Sequence, residues 1–165
     1  MRANPGMRRD VLLAVLSVGA VAVTSILGQV ATFPNLVPWY AGLIKPSFNP
    51  PNWIFGPVWT TLYGLMAFAL WRVLRAPGEL GRRRARAVGW FAWLLLLNAA
   101  WSWMFFWAHS PLLGLVNILP QLLVTVATAR SFAQIDRLAG LCLLPLIGWV
   151  AFAGVLNAAI WLLNG

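Results

Sequence analysis

The chain has 165 residues, 61% of them hydrophobic and only 9% charged, with a net charge of +9 and a mean hydropathy of +0.79. Soluble domains carry about 25% charged residues, so this composition excludes a water-soluble globular protein, which would expose large apolar patches. The basic residues sit in short clusters between apolar runs, a pattern that orients membrane proteins and argues against nucleic acid as a partner.

Uncharged runs of about 20 residues can cross a bilayer as helices. The first is predicted near Val11 to Ala31, behind Arg2, Arg8 and Arg9. Basic residues ahead of an apolar run also describe a signal peptide. This run is longer than a signal core and has no small-residue cleavage site followed by a polar start, so a retained helix is expected. Ala20, Thr24 and Gly28 recur along it every four residues and form a close-contact face, within the bundle or between protomers.

A loop over 32–52 follows, then a second span near Trp53 to Leu74 and a third near Val88 to Trp107. The fourth is expected near Leu112 to Ala129 and the fifth near Leu138 to Leu163, bent by Pro145, which makes an all-α bundle of five transmembrane helices in a single domain over 1–165. Arg72, Arg75, Arg82, Arg83, Arg84 and Arg86 cluster around the turn between the second and third spans, and Arg130 and Arg137 around the turn between the fourth and fifth. With the N-terminal arginines, eleven of the twelve Lys and Arg residues fall at one end and only Lys45 at the other. The N-terminus is therefore expected in the cytoplasm and the C-terminus outside.

Amides inside the spans are informative, because an amide in hydrocarbon is costly without a partner. Asn98 shares a face with Trp101, Ser102 and Phe105. Asn117 and Gln121 share one on the fourth span, and Trp149, Ala153, Leu156 and Asn157 align on the fifth. Trp59, Thr60 and Tyr63 lie together on the second. These faces serve either as interhelical glue or as the walls of a cavity for a flat hydrophobic ligand with a few polar groups. The acidic residues Asp10, Glu79 and Asp136 all lie outside the spans, which argues against proton-coupled transport. Cys142, the single cysteine, reads as a small buried residue, and no metal-ligand cluster is visible. His109, the single histidine, reads as an interfacial residue, with haem ligation as the alternative.

The loop breaks this pattern. "WYAGLIKPSFNPPNWIFGPVWTTLY", Trp39 to Tyr63, is rich in proline and aromatic residues. Proline stiffens the backbone, so Trp39, Tyr40, Phe48 and Trp53 are expected to fold back as a lid on the bundle; a simple aromatic belt would need no prolines. This stretch resembles the signature of the tryptophan-rich sensory protein family (TspO/MBR), which includes the mitochondrial translocator protein. "LLLNAAWSWMFF" (Leu95–Phe106) and "LLPLIGWVAFAGVLN" (Leu143–Asn157) are similar to the family's third-helix and fifth-helix patterns, in the same order.

The resemblance implies a five-helix bundle, usually a homodimer, with a pocket beneath the loop between the first two helices. It implies porphyrins, protoporphyrin IX or haem, as ligands, with no tightly bound cofactor. Tyr40, Trp59, Asn98, Trp101 and Trp149 match the family's pocket, and Tyr63 and Ala153 lie on the same helix faces. Trp59 and Trp149 also match the tryptophans linked to light-dependent porphyrin breakdown. Two departures stand out. Ser47-Phe48 follow the loop's Lys-Pro, where the family often has tryptophan. The C-terminus "VLNAAIWLLNG" lacks the tyrosine and basic residue of the animal cholesterol motif.

The function expected is a membrane receptor or sensor for porphyrins and similar flat hydrophobes, regulating tetrapyrrole or stress responses. The alternatives are light-dependent porphyrin degradation and porphyrin or lipid transport. No general acid, base or metal supports a conventional enzyme. The bacterial inner membrane is the expected location, with the outer membrane as the alternative.

Overall fold

A computed structural model describes residues 5–165, and every regular element in that range is helical. Helix α1 is Pro5–Thr32; a 3₁₀ turn, Phe33–Asn35, and a wide helical turn, Leu36–Tyr40, continue it, with a break at Val37 (φ −132°, ψ 131°). Helix α2 is Asn52–Arg75 and α3 is Gly81–Ser102, the latter running on through a π-type turn, Trp103–Trp107. Helix α4 is Pro111–Ala133, α5 is Arg137–Leu141 and α6 is Leu144–Asn164. Five segments are long and apolar enough to cross a membrane: Gly6–Tyr40, Asn52–Arg75, Gly81–Trp107, Pro111–Ala133 and Arg137–Asn164.

Two of the differences from the sequence expectation have a local physical cause. The third begins at Gly81 rather than near Val88. Arginine is a good helix former, and Arg84 has a specific task there. Its guanidinium donates to the carbonyl of Val73 at 3.2 Å and to that of Ala76, carbonyls left open where α2 ends. The fifth span is two helices rather than one bent helix. Pro145 has no N–H and would clash with the carbonyl four residues back, so the chain breaks at Cys142–Leu143 and restarts with Pro145 in the first turn of α6. The Asp136 side chain accepts from the Ala139 N–H at 3.0 Å and caps α5.

The helices form an incomplete ring. Helix α1 packs on α2 and α3, α3 on α4, and α4 on α6. Small residues make these contacts close. A Cβ added at Gly114 would lie 2.7 Å from Asn157 Oδ1 and 2.9 Å from Phe105 Cδ2. One added at Gly28 would lie 3.2 Å from Ser102 Oγ, so the small face of α1 packs on α3 within the chain. The hydroxyls of Ser17, Thr24, Thr125 and Thr128 are buried but donate to carbonyls four residues back in their own helices. These four hydroxyls are thereby paired. The gap in the ring lies between α2 and α6.

Candidate functional site

Three groups of the sequence-predicted residues emerge, at different places in the bundle. The first joins α2 and α3. The Trp59 and Tyr63 rings lie 5.3 Å apart, and the Tyr63 hydroxyl donates to Asn98 Oδ1 at 3.0 Å. Asn98 is only 4% exposed, yet its Nδ2 has no hydrogen-bond partner. A buried donor left open costs about 1–3 kcal/mol, so this amide is suited to meet an acceptor from outside the chain. Asn117 Oδ1 is a second open atom. The contact of Gly114 with Phe105 and the stacking of Phe91 on Phe132 set the antiparallel α3–α4 register. By that register Asn98 lies level with 121–125, about one to two turns deeper than Asn117. Thr60 does not join Trp59 and Tyr63. It is exposed, and its hydroxyl donates to the Gly56 carbonyl at 2.9 Å.

The second group closes the end of the bundle that carries Lys45. Trp101 Nε1–H donates to Asn157 Oδ1 at 3.2 Å, and Asn157 Nδ2 donates to the Pro111 carbonyl at 2.6 Å, which ties α3, α4 and α6 together. The Trp101 ring stacks on Phe105 with centroids 5.0 Å apart. Tyr40 is buried against Phe105 and Phe106 at 6.3 and 5.5 Å. Lys45 Nζ donates to the Tyr40 carbonyl at 2.6 Å and lies 4.5 Å from the centre of its ring. Trp39 meets Phe105 and Phe106 edge-on and stacks on His109 at 4.7 Å. Asn35 donates its amide to the Ala31 carbonyl, so its oxygen faces His109 Nε2 at 2.7 Å. Phe48 and Trp53 do not share this arrangement; both are exposed, Trp53 by 73%. The expected four-aromatic lid is therefore Trp39 and Tyr40, supported by Lys45 and His109.

The third group faces the gap between α2 and α6. An open cleft of about 660 Å³ lies there, lined by Ile54, Val58 and Thr61 on one side and Pro145, Trp149 and Phe152 on the other. Binding sites for small ligands are about 300–1,000 Å³. Trp149 is the sequence-predicted residue that lines this cleft, with its ring edge-on to Phe55 at 5.8 Å. Ala153 is half-buried and, like Trp59, Tyr63, Trp101 and Trp149, packs on the main core. Val58 and Leu62 line the cleft, while Trp59 and Tyr63, one residue further on, are turned about 100° toward the interior. Helix α2 thus presents one face to the cleft and another, through Tyr63, to Asn98.

Phe55, Thr61, Gly148 and Phe152 belong to this arrangement and were not singled out from the sequence. Phe55 is four residues before Trp59, and Phe152 three after Trp149, so helical spacing could have found both.

A sequence model of the TspO/MBR family matches residues 14–162. The tryptophan-rich protein TspO of Chlorobaculum tepidum is 39% identical over 159 residues, which cover 96% of this chain and 99% of that protein. The translocator protein of Homo sapiens is 37% identical over 123 residues, 74% of this chain and 73% of the relative. The tryptophan-rich sensory protein of Cereibacter sphaeroides is 34% identical over 126 residues, 76% of this chain and 77% of the relative.

Proposed function

Given that this integral, multi-pass membrane protein belongs to the TspO/MBR family, we propose that it is a receptor for porphyrins, of the protoporphyrin IX or haem type, acting in sensing. The observation that carries this reading is the open Nδ2 of buried Asn98, held by the Tyr63 hydroxyl beside the Trp59 ring. A porphyrin is a flat apolar ring with polar atoms at its centre and carboxylates at one edge. Indoles can stack on its face, and an amide donor can meet one of its acceptors. Trp149, Trp101, Tyr40 and Ala153 complete the proposed wall.

Quenching of tryptophan fluorescence by protoporphyrin IX, in detergent and in the dark, tests this. Saturable quenching is expected, weakened about tenfold or more by Asn98→Leu and by Trp149→Phe. Quenching that does not saturate in the native chain would overturn the proposal.

The adjacent rings of Trp59 and Tyr63, 5.3 Å apart, favour a second, photochemical reading. Both side chains are oxidisable. An electron would pass from one of them through the light-excited porphyrin to dioxygen. The side-chain radical would take an electron back from the porphyrin, and the superoxide would add to the oxidised ring, so that only porphyrin and dioxygen are consumed. Loss of the porphyrin absorption band in light should then be faster with the protein than without, and should slow in Trp59→Phe. Equal rates with and without protein would remove it.

We also propose a homodimer in the bacterial inner membrane, with the arginine-rich end in the cytoplasm. The eleven-to-one distribution of basic residues supports the orientation. Reporter fusions at the C-terminus should be active outside the cytoplasm, and the particle mass in detergent should be twice that of the chain; the opposite results would defeat each claim.

A further inference from the structure

Three contacts fix how α2 and α6 run past each other. Arg72 meets Asp136 at 2.6 Å at the arginine-rich end. Phe55, in the first turn of α2, meets Trp149, in the second turn of α6. At the other end the Asn164 side chain bonds both the N–H and the carbonyl of Ile44, each at 2.9 Å. Only the Phe55–Trp149 ring contact joins α2 to α6 directly; the other two tie α2 to the N-cap of α5 and the end of α6 to the loop before α2, so neighbouring segments bridge the pair at its two ends. Proline and glycine mark the open stretch: Pro57 inside α2, and Pro145 and Gly148 on α6. A Cβ at Gly148 would meet nothing within 4 Å.

The two possible ways into the bundle thus differ. At the Lys45 end, Trp39 and Tyr40 are packed down on Phe105 and Phe106, and Lys45 holds the Tyr40 carbonyl. On the flank, the cleft is open and almost wholly apolar. Its Thr61 hydroxyl donates to the Pro57 carbonyl at 2.9 Å and presents no free donor. A lining of this kind matches the inside of a bilayer, not water. The helix faces on either side carry exposed apolar residues such as Trp53 and Val155, as a lipid-facing surface does.

We propose that the α2–α6 cleft is a lateral portal, through which a flat hydrophobic ligand dissolved in the bilayer enters the bundle, with Trp149 as the residue it meets first. This rests on the receptor reading for what lies beyond the portal. The occupant is a small membrane-dissolved hydrophobe in transit. A lipid acyl chain lodged there permanently is the competing outcome.

Two measurements on the full chain in lipid nanodiscs test the portal. The first uses phosphatidylcholine brominated in its acyl chains. Native fluorescence should be quenched more than that of Trp149→Phe, because Trp149 faces lipid. In Gly148→Phe, which fills the cleft, that difference should shrink. No contribution of Trp149 to the quenching would overturn the portal whatever the ligand. The second follows protoporphyrin IX, pre-dissolved in the nanodisc lipid, by stopped flow. Gly148→Phe, and independently Thr61→Phe from the opposite wall, should slow both association and dissociation about tenfold or more. Unchanged rates in both variants would overturn the portal. So would a fall in affinity that displacing the lipid reverses, the mark of a resident acyl chain. A native chain that binds no protoporphyrin defeats the receptor reading alone, and the bromolipid arm then decides the portal.

Discussion

The seam between α4 and its neighbours and the seam between α2 and α6 are made from similar apolar helices, yet one is closed and the other open. Where α4 meets α6, Gly114 and Gly154 let the partner approach, and Asn157 fills the space with hydrogen bonds to Trp101 and Pro111. Where α2 faces α6, no glycine among the described residues is in close contact, the polar ties run to Asp136 before α5 and to the Ile44 loop and not between the two helices, and the facing stretch carries Pro57 and Pro145. Lipid gives little hydrophobic drive for helices to associate, so close packing and hydrogen bonds decide which seams shut. The open seam is the one from which those two features are missing.

That contrast predicts opposite responses to the same kind of substitution. The largest effect is expected at Gly140, where a Cβ would lie 2.5 Å from Ala133 Cβ and 2.8 Å from the Ala129 carbonyl oxygen. The backbone there has little room to yield. Gly140→Leu should lower stability by about 3 kcal/mol or more, and Gly114→Leu by a similar or somewhat smaller amount. Gly148→Leu, on the open seam, should stay within about 0.5 kcal/mol. Thermal unfolding in detergent, followed by near-ultraviolet circular dichroism, measures all three. Equal losses at Gly114 and Gly148 would mean that the cleft is closed in the membrane.

A smaller effect should separate the seams by their hydrogen bonds. Asn157→Leu strands the buried Trp101 Nε1–H and should cost about 1–3 kcal/mol. Thr61→Val removes only a bond within α2 and should cost about 0.5 kcal/mol or less. Denaturant titration in mixed micelles compares them, and a Thr61→Val loss as large as that of Asn157→Leu would contradict the difference between the seams.

Hydropathy and the arginine pattern made the five spans legible, because span length and exclusion of charge are properties of single segments. The start of α3 was not legible, because an arginine-rich stretch reads as a loop, whereas Arg84 works as the cap of its neighbour. The break before α6 was half legible. Pro145 announced a disturbance, but only the start of a new helix with Pro145 in its first turn shows that it is a break and not a bend. The site was readable as helix faces and as buried amides in need of partners; which residues pair, Tyr63 with Asn98 and Trp101 with Asn157, is set by how the helices pack. The cleft was not readable. It depends on which helices fail to pack, a property of pairs that no single helix displays.

The smallest expected effect concerns the tie at the arginine-rich end of the open seam. Arg72 donates through Nε and Nη2 to Asp136 Oδ2 at 2.9 and 2.6 Å. This bond holds the Asp136 carboxyl below its usual range, against a lesser opposing effect of desolvation. A carboxyl with a folded pKa below its unfolded value, about 3.9, binds fewer protons folded than unfolded. Its contribution is therefore complete above that pH and is lost as the pH falls through the lower folded value. Asp136→Asn keeps an acceptor for the Ala139 N–H but removes the charge. The native chain should melt slightly higher than Asp136→Asn at pH 7, and the two curves should converge as the pH falls below about 4. If this tie also limits how far α2 and α6 separate, Asp136→Asn should exchange ligand faster at pH 7, and the native chain should approach that rate in acid. A melting difference that stays constant however far the pH is lowered would assign the effect to the α5 cap instead of the charge pair.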